Sequence, residues 1–206
     1  MLTLIAREFR DNLACLILTG FHSLFTIAIA IVSAYWGIPW AGLLIAVIMG
    51  IILAILFTTL GAVQMYTDRA NRVSSLLATL ATTRSRILAA RVLAGAMVIL
   101  TTLVALLITA VAIASLEDAP LALYRSTIAE VFATVVLTSF ACYCVGLLLG
   151  WTAIKAFPAL GMLFLMALVV LLVVIKGFVL PAIVLLVLFS VACLAHVWYR
   201  FTSISL

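Results

Sequence analysis

Six long apolar runs fill almost all of this chain and decide what kind of protein it can be. Hydrophobic residues make up 69% of the 206 residues and charged residues 8%, whereas soluble domains are roughly half apolar and a quarter charged. One helical crossing of a hydrocarbon layer about 30 Å thick takes about 20 residues. The sequence therefore predicts an all-α integral membrane protein with six transmembrane helices.

Charged residues and Gly/Pro positions divide the apolar runs into crossings. We place them at about 16–35, 41–66, 87–115, 127–150, 157–175 and 178–198. The last two form one apolar stretch that is broken only at Lys176 and Gly177. Because this stretch is about twice as long as one crossing, a hairpin is the simplest interpretation. Residues 1–206 are then a single transmembrane domain, with no room among them for a separate soluble domain.

Basic residues flank the predicted crossings unequally. Nine of the eleven fall at one set of ends: Arg7, Arg10, Arg69, Arg72, Arg84, Arg86, Arg91, Lys155 and Arg200. Arg125 and Lys176 fall at the other set. Since cytoplasmic loops are rich in Lys and Arg, we expect a multi-pass protein of the cell inner (plasma) membrane with both termini in the cytoplasm. Anionic headgroups of the lipid bilayer are the expected partner of these charges, and nothing indicates nucleic acid.

Two segments on the predicted cytoplasmic side are amphipathic. The first, over about 2–13, places its apolar residues on one helical face and its charges on the other, which predicts an interfacial elbow helix before the first crossing. The second, over about 68–86, lies between crossings two and three. Its apolar residues recur at i, i+3, i+4 and i+7: Val73, Leu76, Leu77 and Leu80. They predict a short helix capped by Asp68 or Asn71, which is either a linker resting on headgroups or a docking helix for a cytoplasmic partner.

The source of energy follows from which charged residues the chain has. A proton- or sodium-driven carrier keeps ionisable groups near mid-membrane. Here the carboxylates near a crossing are Glu130, about a turn from the outer end of crossing four, and Asp68, at the inner end of crossing two. No G-x-x-x-x-G-K-[ST] phosphate loop occurs. We therefore expect no enzyme activity of its own, and a transport function would draw its energy from a separate ATPase that docks on segment 68–86.

The order of these elements resembles that of the type-2 ABC exporter permeases. The run at 68–80, DRANRVSSLLATL, and the run at 84–91, RSRILAAR, are similar to the family's acidic residue, Leu-Leu segment, Ser-Arg turn and basic residue opening the third crossing. The family often has a Gly before the Leu pair and a Pro after it, which this chain lacks at 71–75 and 81–82. Length and layout also resemble the permease of the bacterial haem-export and cytochrome c maturation system.

The resemblance implies a homodimer, or a pair with a paralogous permease, that touches through crossings one and five. It also implies two cytoplasmic ABC ATPase subunits, which bind ATP and Mg, while this chain binds no cofactor itself. The ATPases would seat against segment 68–86, which we call the coupling segment. The residues implied in that contact are Asp68, Arg72, Val73, Leu76, Leu77, Leu80 and Arg84.

The remaining polar candidates point to packing more than to chemistry. The four cysteines, Cys15, Cys142, Cys144 and Cys193, have no metal-binding spacing and are expected to be packing residues. His22 and His196 differ in predicted depth, so a shared haem is not expected, and His22 is interpreted as a hydrogen-bonding residue between helices that could also line a pathway. Glu130 is likewise interpreted as a packing residue or as a residue that lines a pathway. Its carboxylate would reach the water among the lipid headgroups.

Gly146 and Gly150 match the small-residue motif that brings membrane helices together. With so little charge in the predicted wall, the substrate should be amphipathic or apolar. A different class of function stays open, a non-transporting membrane anchor or assembly subunit of a larger complex. An enzymatic interpretation finds no metal box and no nucleophile beside a base.

Overall fold

The computed structural model describes Arg10 and the ranges 13–36, 39–71, 84–116, 121–151 and 180–203. Each range is one α-helix. The five helices are α1 (Leu13–Trp36), α2 (Pro39–Asn71), α3 (Arg84–Leu116), α4 (Leu121–Trp151) and α5 (Leu180–Ser203). Within these ranges there is no β-strand, which confirms the all-α prediction for the described part of the chain.

The five helices coincide with predicted crossings one to four and six, but several are longer than predicted. α2 continues through Asp68 to Asn71, because no Gly or Pro ends the helix after Ala62. Asp68 therefore lies inside α2 and does not cap a separate short helix. α3 likewise begins at Arg84 and not at Ile87. The elbow helix apart from Arg10 and Leu13, the coupling segment from 72 to 83 and the predicted crossing 157–175 lie outside the described residues.

Four of the described helices are long and apolar enough to cross a membrane. The qualifying windows are Gly50–Thr67, Ser85–Ala112, Phe132–Gly150 and Ile183–Ser203. α1 contains a shorter apolar window, Ile17–Ile29. These lengths indicate a membrane protein, as the composition predicts.

The distribution of side chains on α1 points the same way. The exposed large residues of α1 are apolar: Leu13, Ile17, Leu18, Phe21, Leu24, Phe25, Ile31 and Val32. Among the α1 side chains that the structure describes, the buried ones, Thr19 and Ser23, carry hydroxyl groups. The Ser23 hydroxyl donates to the Thr19 carbonyl at 2.7 Å. In water such a helix would expose a large apolar patch and bury its polar groups. In a bilayer the same arrangement is stable, because the apolar face meets lipid.

α4 is the central helix of the described bundle. It packs against α2, α3 and α5, while α1 packs against α2 and α3. Residues 141–148 are buried without interruption, so α4 is covered on every side over two turns. A helix that is covered all round has no need of a polar face, which fits the mainly apolar side chains of this stretch.

Glycines bring α2 and α4 into backbone contact. A Cβ atom built on Gly146 would lie 2.9 Å from the carbonyl carbon of Thr58, and one on Gly61 would lie 2.8 Å from the backbone nitrogen of Leu147. Both distances are too short for a real side chain, so only glycine permits this approach. One turn further along α4, Gly150 meets α2 in the same way. The small-residue motif at 146–150 is thus confirmed as a packing motif.

Candidate functional site

A group of polar residues lies in the interior where α2, α3 and α4 meet. It consists of Gln64 from α2, Arg91 from α3 and Tyr143 from α4, with exposed fractions of 5%, 2% and 0%. We call these three residues the polar cluster. Because a polar group in an apolar interior costs free energy unless it is hydrogen-bonded, the contacts of each member decide whether the cluster stabilises the bundle.

The Tyr143 hydroxyl joins the other two members. It lies 2.6 Å from Oε1 of Gln64 and 3.1 Å from the backbone carbonyl oxygen of Arg91. A phenol has a single proton to donate, so these two acceptors share one donor. The hydroxyl therefore links α2 and α3 through a side chain that belongs to α4.

Gly95 makes room for this link. It lies on α3 one turn after Arg91, and a Cβ built on it would be 2.6 Å from Cε2 of the Tyr143 ring. Any larger residue would push the ring away from α3. The missing side chain thus forms a notch in which the ring lies, and this allows the hydroxyl to reach the carbonyl of Arg91.

The guanidinium group of Arg91 is placed between two other helices. Its Nη1 atom is 4.0 Å from Sδ of Met65 on α2, and its Cζ atom is 5.9 Å from the centroid of the Phe201 ring on α5. A cation within about 6 Å of an aromatic centroid is attracted to the face of the ring. Arg91 thus connects α3 to α2 and α5, in addition to the link that its carbonyl makes with α4.

The cluster lies at one level of the bundle. Gln64 is seven residues before the end of α2 at Asn71, and Arg91 is seven residues after the start of α3 at Arg84. At about 1.5 Å per residue, both are about 10 Å from those ends. Tyr143 lies near the end of α4 in the same way. The basic residues predict that these helix ends face the cytoplasm.

The residues that the sequence singled out for ATPase docking are only partly described. Asp68 is in the last turn of α2 and Arg84 is the first residue of α3. The other five lie outside the described residues: Arg72, Val73, Leu76, Leu77 and Leu80. The two described ends, Asn71 and Arg84, are joined by the twelve residues from 72 to 83.

The two histidines are not brought together. His22 is partly buried on α1, where the Thr26 hydroxyl donates to its carbonyl at 2.9 Å, whereas His196 is exposed on α5. Among the described residues α1 and α5 do not pack against each other. Glu130 lies in α4, as predicted for crossing four.

The cysteines fit a packing role. Cys142, Cys144 and Cys193 are buried and not in disulfides, and Cys144 and Cys193 belong to one apolar cluster. Within the described ranges no three His, Cys, Asp or Glu side chains are grouped so that they could hold a metal ion. Buried in this way, Cys142, Cys144 and Cys193 pack as small apolar side chains between helices.

The polar cluster was not predicted from the sequence. The charge pattern groups Arg91 with the arginines that are expected at headgroups, and it assigns no role to Gln64 or Tyr143. One signal for it was present, because a glutamine and an arginine lie inside apolar runs, where polar residues are costly.

The cluster forms hydrogen bonds between helices. Comparison with family models, with curated proteins and with solved structures found no match for this chain.

Proposed function

We propose that this chain is the membrane-spanning permease subunit of an ABC exporter, which moves an amphipathic or apolar substrate outward with energy from a separate cytoplasmic ATPase. The observation that carries the proposal is the amphipathic coupling segment, whose pattern of Val73, Leu76, Leu77 and Leu80 is set among arginines. In the structure α2 and α3, which flank it, are two of the four helices that can span a membrane. Such a segment is suited to insert an apolar face into a partner.

The charges and motifs of the chain support an external source of energy. The sequence has no phosphate loop, and its acidic residues near crossings are few. A carrier driven by an ion gradient needs ionisable groups within the membrane. In this proposal ATP and Mg bind to the partner ATPase, and the chain itself holds no cofactor.

The proposal includes a topology and an assembly. The chain has six crossings, an elbow helix at its start and both termini in the cytoplasm, and it resides in the inner (plasma) membrane. Two permeases, identical or paralogous, pair within the bilayer. The nine basic residues on one side support the orientation. α1, which is the first crossing, has exposed apolar side chains against which a second permease would pack, whereas crossing five lies outside the described residues.

Affinity purification tests the proposal most directly. The chain, tagged at its C-terminus, is extracted from native membranes in a mild detergent, and the chains that co-purify are identified by mass spectrometry. We expect an ATPase subunit in a ratio of one to one and ATP hydrolysis by the purified complex, with two permeases per complex by native mass spectrometry. A stable complex that has other subunits and hydrolyses no ATP would contradict the proposal and identify the chain as a membrane anchor.

A further inference from the structure

α2 and α3 pack against α4 more extensively than against each other. They are nevertheless consecutive helices, and their ends at Asn71 and Arg84 belong to the same side of the bundle. Both α1 and α4 pack against the two helices, and α4 is the one that belongs to the polar cluster. The hydroxyl of Tyr143 on α4 hydrogen-bonds to both α2 and α3.

The two hydrogen bonds of Tyr143 reach different kinds of groups. Oε1 of Gln64 belongs to a side chain, whereas the acceptor on Arg91 is a backbone carbonyl. A movement of α3 relative to α4 therefore changes this hydrogen bond directly through the backbone of α3, and no flexible side chain can absorb the movement. Because Tyr143 and Gln64 are almost completely buried, water does not readily replace a lost partner, and a broken bond leaves an unsatisfied polar group.

We propose that Gln64, Arg91 and Tyr143 form a latch that makes the adjacent ends of α2 and α3 move as one unit with α4. The Tyr143 hydroxyl has two acceptors, one on each helix, and the Gly95 notch lets the ring stay in contact with α3. The guanidinium of Arg91, placed between Met65 and Phe201, extends the unit to α5. Tyr143 is accordingly a positioning residue.

The latch rests on described contacts and does not depend on the proposed function. If a cytoplasmic partner pushes on the chain between α2 and α3, the latch carries that displacement to the centre of the bundle. If the chain is an anchor, the latch holds its cytoplasmic end rigid. The test therefore uses the full chain alone, in lipid nanodiscs, and needs no partner.

Hydrogen–deuterium exchange followed by mass spectrometry measures whether the two ends open together. The informative amides are those of residues 64–71 in α2 and 84–91 in α3. In the wild type we expect both sets to be protected to the same degree, because they open in one step. In Tyr143→Phe both sets should exchange faster, by roughly three- to tenfold each, as expected for the loss of a buried hydrogen bond. In Gln64→Met the α2 amides should be affected more than those of α3.

Two further variants separate a latch from a merely structural contact. Tyr199→Phe removes a hydroxyl from a residue that is 70% exposed and should leave exchange unchanged. The double variant Tyr143→Phe/Gln64→Met replaces both partners by apolar groups of similar shape, which is close to neutral for stability. We expect its melting temperature to return toward the wild-type value while the α2 and α3 ends still exchange independently.

Three results would overturn the latch. The first is that the α2 and α3 ends of the wild type exchange at unrelated rates. The second is that Tyr143→Phe leaves the exchange of both ends unchanged. The third is that the double variant regains matched protection of the two ends along with its stability. The last result would show that filling the space is enough and that the hydrogen bonds have no role in joining the helices. None of these outcomes depends on whether an ATPase co-purifies.

Discussion

The hydroxyl of Tyr143 lies 2.6 Å from Oε1 of Gln64, although the two residues are 79 positions apart in the chain. Both side chains are buried in an interior composed mainly of apolar residues. A hydrogen bond contributes modestly to stability when it forms, but a buried group that loses its partner costs more. The pair therefore favours one arrangement of α2 against α4 over alternatives in which the two groups do not meet.

Gly95→Ala should destabilise the protein. The new methyl group would collide with the Tyr143 ring, and overpacking of this kind costs about 1–3 kcal/mol. The matched control is Gly20→Ala, because a Cβ at Gly20 would meet no atom within 4 Å. The control should be neutral or slightly stabilising, since alanine favours helix. Reversible unfolding in mixed micelles of mild detergent and SDS measures the stability of both variants. Equal losses of stability would contradict the notch at Gly95.

Gly146→Ala should be more damaging than Gly50→Ala. A Cβ at Gly146 meets the backbone of Thr58, which cannot turn aside as a flexible side chain can, so α2 and α4 must separate. The expected loss is about 1–3 kcal/mol, against no loss for Gly50, where no atom lies within 4 Å. The same unfolding measurement applies. A Gly146→Ala protein as stable as the wild type would show that the two helices are not in backbone contact.

The positions of the helices could be predicted from the sequence because a bilayer imposes a simple rule on composition. Apolar runs of sufficient length become helices, and the described helices confirm five of the six predicted positions as helical. Their ends were less predictable. The run after Tyr66 is polar, which predicts that the crossing ends there, whereas the helix continues to Asn71, because polar residues do not by themselves end a helix.

The arrangement of the helices could not be predicted in the same way. In lipid an apolar residue is suited equally to the outside of the bundle and to its centre, so hydropathy does not show that 141–148 is buried on all sides. The polar cluster depends on that arrangement. Gln64 and Tyr143 meet because α2 and α4 are in contact, and Arg91 is buried because α5 brings Phe201 over it. Glycine spacing does predict a helix contact. It identifies Gly146 and Gly150 as packing positions but not the helix against which they pack.

Arg91 and Phe201 should be coupled energetically. The guanidinium carbon lies 5.9 Å from the ring centroid, within the range of an attractive cation–π contact. A double-mutant cycle with Arg91→Met and Phe201→Leu should give a coupling energy of about 0.5–2 kcal/mol in unfolding. The exposed Arg86 provides the control, because Arg86→Met combined with Phe201→Leu should be additive. A coupling energy of zero for Arg91 and Phe201 would show that the two side chains are close but do not stabilise each other.

The proposed orientation predicts which loops face the cytoplasm. It rests on nine basic residues at one set of helix ends and two at the other. Single cysteines introduced at Ser74 and at Ala119 should react with a membrane-impermeant maleimide from opposite sides in intact cells, Ala119 from outside and Ser74 only after the membrane is opened. Labelling of both positions from outside would contradict the orientation. The buried native cysteines, such as Cys144, should contribute little background.

Leu76→Asp combined with Leu77→Asp should release the proposed ATPase from the permease. The two leucines share the apolar face of the coupling segment in the sequence pattern, and each would lose apolar burial of about 1.5–3 kcal/mol while gaining a charge. The chain should still insert in the membrane, because its crossings and arginines are unchanged. The matched control, Ser75→Asp with Ala78→Asp, adds the same two charges on the opposite face of the predicted helix and should retain the partner. Co-purification measures the ATPase bound to each variant. A Leu76→Asp/Leu77→Asp variant that keeps its cytoplasmic partner and its ATP hydrolysis would show that the segment is a linker resting on the membrane surface.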